Sequence, residues 1–78
     1  REEVVSFNQG MWHFFKKEFE NVYSLWIEYP FSFEYIGRTR LTMIRALFEL
    51  FLIDKDNYEV LISNIKAFET FIFHRRCG

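Results

Sequence analysis

Residues 39–53 read Thr-Arg-Leu-Thr-Met-Ile-Arg-Ala-Leu-Phe-Glu-Leu-Phe-Leu-Ile. Leu41, Ile44, Phe48 and Phe51 recur at spacings of three and four, and so form one stripe of an α-helix. Met43, Leu47 and Leu50 form a second stripe beside it, and Leu52 and Ile53 widen the apolar arc. Only Thr42, Arg45 and Glu49 are left as a polar face. A helix with so narrow a polar face is covered on most sides. This segment therefore predicts an all-α fold in which one helix needs two sets of neighbours.

The flanking segments have the same period. From about residue 3 to 28, Met11, Trp12, Phe15, Phe19, Val22, Tyr23 and Trp26 make one helical stripe. Ser6 is available as a cap, and Gly10 weakens the first turns by roughly 1 kcal/mol relative to Ala. Pro30 drives Tyr29 out of the helical region and ends that segment. Residues 29–38 alternate, with Phe31, Phe33 and Tyr35 against Ser32 and Glu34. An isolated strand leaves its backbone unpaired, so the expectation is an extended loop that lays its aromatic rings on the helices and ends at Gly37. Asp54-Lys55-Asp56-Asn57 makes a polar turn, with Asp56 or Asn57 as the cap of a last helix over about 57–74. In that helix Tyr58, Leu61, Ile65, Phe68 and Ile72 share one face. The whole predicts a three-helix bundle-like domain with an aromatic-rich extended loop between helices one and two, whose core holds Trp26, Phe48, Leu61, Ile65 and Phe68.

Composition bounds the function. Ten basic residues against eleven acidic give a net charge of -1, so no strong field marks a nucleic-acid or membrane partner. The densest apolar run, Ala46 to Ile53, contains Glu49 and is too short to span a bilayer. A single cysteine, Cys77, makes no internal disulfide, and an intracellular setting is the expectation. The chain begins Arg1-Glu2-Glu3 instead of Met, which suggests a segment of a longer scaffold, adaptor or regulatory protein.

Chemistry is sparse. His74 and Cys77 share a helix face but have no further ligand nearby, and His13 is distant in sequence; no metal or cofactor is expected. Asp54-x-Asp56 lacks the glycine and the final glutamate of a calcium-binding loop, whose places are held by Glu59 and Ile65. No glycine-rich phosphate loop and no nucleophile–base pair stands out, so an enzyme is not expected. The alternative reading is a helix-turn-helix-like nucleic-acid-binding domain, with Arg38, Arg40, Arg45, Lys66, Arg75 and Arg76 as its cations. Against it, Asp54, Asp56 and Glu59 stand where a recognition helix presents its first side chains to bases.

The dominant signal is excess apolar surface. Seventeen aromatic rings in 78 residues exceed what one seam between three helices encloses. Protein binding is the expectation, either self-association as a homodimer or docking of a helical or extended segment of another protein. The residues expected to face that partner are Phe7, Phe14, Phe31, Phe33, Met43, Leu47, Leu50 and Phe73.

Overall fold

The computed structural model describes residues 2–77, and side chains for residues 2–74. Its elements are α1 (Glu2–Phe15), α2 (Phe19–Trp26), α3 (Phe33–Ile53), a 3₁₀ turn (Lys55–Asn57) and α4 (Tyr58–Cys77), with no strand among the described residues.

The first predicted helix is two helices. The chain turns at residues 16–18, where Lys17 adopts φ 65°. The Glu18 N–H donates to the His13 carbonyl (2.8 Å) and the Lys17 N–H to the Phe14 carbonyl (3.0 Å). This pair of bonds, around a left-handed residue, closes a helix in a Schellman motif. The His13 Nδ1–H donates to Glu18 Oε1 at 2.6 Å, and this bond holds the Glu18 carboxyl below its ordinary range. The apolar spacing runs on through the break, from Phe15 to Phe19 to Val22, while across it Phe14 and Phe19 pack edge-on at 5.7 Å. Periodicity alone therefore could not reveal it.

The break lets α2 fold back on α1, and Gly10 and Trp26 set the fit. Gly10 is buried, and a Cβ there would overlap Cε2, Cζ2 and Nε1 of the Trp26 indole. The ring lies on the bare backbone of α1 and donates from Nε1 to the Ser6 carbonyl at 2.9 Å. Phe7 stacks on it (5.8 Å, 7°), and Phe31 meets it edge-on (5.8 Å, 86°). Ser6 is a buried mid-helix residue, not a cap.

The aromatic connection is shorter than expected. α3 starts at Phe33, so Tyr35 and Gly37 are helical and only residues 27–32 connect the two helices. The Ser32 backbone N–H and hydroxyl donate to the two carboxylate oxygens of Glu3 (2.6 and 2.7 Å). Its carbonyl accepts the first helical bonds, from Tyr35 and Ile36. These six residues have no strand to pair with, so helix formation satisfies the backbone of 33–38 instead.

α3 then runs between α2 and α4. Its inner face holds Thr39, Met43, Ala46 and Leu47, all buried; Met43 and Ala46 join Val22, Trp26 and Phe31 in the core. The Thr39 hydroxyl donates to the Ile36 carbonyl (3.1 Å), which satisfies it away from water. The stripes are thus the reverse of the expectation. Met43 and Leu47 face inward, and Phe48, expected in the core, is 44% exposed. Side-chain size explains the choice. Thr39 and Ala46 are small and let α2 approach closely, whereas the stripe of Leu41, Ile44 and Phe48 would hold it off.

Beyond α3, Asp54 Oδ1 accepts from the Asp56 N–H (3.0 Å) and caps the 3₁₀ turn. Asn57 does not cap the last helix as expected. Its side-chain amide donates back to the Leu50 and Asp54 carbonyls (3.2 Å each), which closes α3. Among the described residues α4 packs on α3 and the turn, and its backbone does not come close to α1 or α2. It seats Leu61 at 5% exposure, while Ile65 and Phe68 are only half-buried. With the elements laid mostly side by side, the molecule is a slab of 37 × 28 × 17 Å.

Candidate docking surface

The slab shape leaves one side of α3 open. Leu41, Arg45, Phe48 and Leu52 recur at four, three and four residues, and so line up along the side opposite Thr39, Met43, Ala46 and Leu50. Leu41 is 58% exposed and Leu52 is 51% exposed. Phe14, reaching over from the last turn of α1, joins Leu41, Thr42, Ile44, Arg45 and Phe48 around an open groove of about 450 Å³. Phe15, the next residue, is exposed and packs edge-on against Phe14 at 6.1 Å. At the far end of α3, Ile53 is exposed as well.

Charged groups border the apolar strip. Arg38 and Arg45 are exposed and Glu49 is half-buried. Among the described residues the ion pairs are His13–Glu18 and Lys16–Glu18, so none of these three charges has an ion-pair partner there. Arg40 is different: its guanidinium lies over the Phe71 ring at 5.8 Å, between α3 and α4.

The folding that opens this face redistributes the residues expected to meet a partner. Only Phe14 lines the groove. Met43, Leu47 and Phe31 are in the core, and Phe7 packs against it between Trp26 and Tyr35. Leu50 is half-buried below the start of α2, where it borders a shallow pocket with Lys17, Glu18 and Phe19. Phe33 and Phe73 are exposed but on other parts of the surface, at the start of α3 and near the end of α4. Leu41, Ile44 and Phe48, which line the groove, are not among the residues expected to meet a partner. Their signal was already present as one of two equivalent apolar stripes; nothing in the spacing said which one faced outward.

The other polar groups make no comparable site. Among the described residues no three His, Cys, Asp or Glu side chains come together as a metal-binding group. His13, Lys16 and Glu18 cluster at the helix break, where their bonds close the turn. The thiol of Cys77 and the side chains of Arg75 and Arg76 lie outside the described residues. Among the described residues no helix is long and apolar enough to cross a membrane. Comparison of the chain with protein-family models, curated proteins and solved structures finds no match.

Proposed function

We propose that this chain is a protein-association module that docks a partner along the outer face of α3 and performs no chemistry of its own. The observation that carries the reading is the exposure of Leu41, Phe48 and Leu52 on one stripe of the longest helix, beside the groove closed by Phe14. Fully burying a Leu or Phe side chain is worth about 1.5–3 kcal/mol. Several such side chains left in water forgo an amount comparable to the roughly 4–12 kcal/mol that stabilises a chain of this size. Contiguous apolar surface of this kind marks interaction sites.

The overall shape supports the same reading. The chain exposes 5729 Å², against about 5,100 Å² for a typical folded monomer of its mass. Its radius of gyration is 12.5 Å, against about 11.5 Å for a compact chain of its length. The surplus follows from the side-by-side arrangement of the helices, which leaves the outer side of α3 uncovered. Protein is favoured over nucleic acid because Asp54, Asp56 and Glu59 are exposed at the turn leading into α4, where they would repel phosphates.

A photoreactive side chain placed at Leu41 tests the reading, with the same group at Asn21, an exposed position on α2, as the control. The expected result in cells is a protein adduct of discrete mass at position 41 and none at position 21. Equal, diffuse labelling at both positions would remove the case for docking here.

A further inference from the structure

The docking reading leaves the occupant of the face unnamed, and the following inference, which rests on that reading, names it. Charge is distributed unevenly along α3. Arg38, Arg40 and Arg45 occupy its first two-thirds, while Glu49 and, just past its end, Asp54 and Asp56 occupy the other end. Glu34 and Lys55 are the exceptions. Of these charges, Arg45 lies within the exposed stripe and Arg38 and Glu49 beside it, and none has an ion-pair partner among the described residues. The face therefore carries an apolar line of Leu41, Phe48 and Leu52 with a basic start and an acidic finish. Such a pattern is complementary to itself when reversed.

We propose that the occupant is a second copy of this chain, laid with its α3 antiparallel to the first. A two-fold axis level with residue 47 sets Arg45 beside Glu49 of the second copy, and symmetry repeats the pair. The same register brings Leu41 level with Leu52 and Ile53 of the second copy, so the apolar lines meet along their length. A parallel arrangement would set Arg45 against Arg45 and Glu49 against Glu49, which like-charge repulsion opposes. The antiparallel contact is isologous and closes on itself, so both stripes are covered with no open end. A net charge of -1 per chain adds little long-range repulsion between copies.

The register has a specific test in charge reversal. Arg45→Glu and Glu49→Arg are made singly, and each variant is examined alone and in a one-to-one mixture by sedimentation equilibrium and native mass spectrometry, one of the two chains carrying a mass tag. The wild-type chain should be dimeric at micromolar concentration. Each variant alone sets like charges together twice, and should dimerise about tenfold more weakly or worse. The mixture restores both opposite-charge pairs, and should return to wild-type affinity with mixed dimers predominating. Circular dichroism checks that helicity is kept. Should a reversed variant lose it, Arg45→Gln and Glu49→Gln take its place, and each should weaken the dimer by a smaller margin. A dimer indifferent to these changes, or a mixture no tighter than the separate variants, overturns the pairing. A wild-type chain that stays monomeric at its highest soluble concentration, yet forms an adduct at Leu41 with a different protein, overturns the second copy and leaves the docking surface standing.

Discussion

Replacing Gly10 with Ala reads the packing of α1 against α2 directly, because sequence and structure demand opposite signs. In a solvated helix the change stabilises by roughly 1 kcal/mol, through the better helix propensity of Ala. In this structure the added methyl falls within the Trp26 ring. Trp26 is 1% exposed and pinned among Phe7, Phe31 and the Ser6 carbonyl, so it has little room to retreat. Overpacking a core by one methyl costs about 1–3 kcal/mol. A shifted indole also loses the Nε1–H bond to Ser6, worth about 1 kcal/mol, and its stack with Phe7, worth about 0.5–1.5 kcal/mol. Set against the propensity gain, the net expectation is a loss of about 2–4 kcal/mol. That is a large part of the roughly 4–12 kcal/mol available to 78 residues. Urea unfolding followed by tryptophan fluorescence, at one fixed chain concentration, measures it. A Gly10→Ala chain as stable as the wild type, or more so, would refute the close approach of Trp26 to the α1 backbone.

Two further substitutions probe the rest of the architecture. Leu47→Ala should cost about 2–5 kcal/mol as a core truncation, whereas Phe48→Ala, at an exposed position, should cost under about 1 kcal/mol in dilute solution; equal losses in a thermal melt would mean that the faces of α3 are misassigned. Lys17→Gly should stabilise by about 0.5–1 kcal/mol, because glycine adopts the left-handed backbone without the strain of a Cβ, and a lower denaturation midpoint would contradict the turn at residues 16–18.

Much of the helical character is local and was legible in the residues themselves. The spacing of Leu61, Ile65 and Phe68 defines the last helix through side-chain periodicity, and the polar run 54–57 defines the turn before it; neither needs a distant partner. The first segment shows where that reasoning stops. The stripe from Met11 to Trp26 is unbroken in sequence, and Lys17 is an unfavourable residue for a left-handed turn. The turn forms because it brings the Trp26 indole onto Gly10, a contact between residues sixteen positions apart that no local period encodes.

The surplus of apolar residues, and with it the expectation of an association surface, was determined by the sequence alone, because composition sets how much apolar surface a chain of this size has to hide. Which residues form that surface was decided only by the tertiary structure. Both stripes of α3 are apolar at helical spacing, and hydropathy ranks them alike. The small Thr39 and Ala46 choose between them, since they let Val22 and Trp26 of α2 share one core with Met43 and Ala46. Leu41 and Phe48 are then left facing water. Close packing depends on the shapes of both surfaces in contact, and α2 comes to face α3 only after the chain has reversed at Lys17.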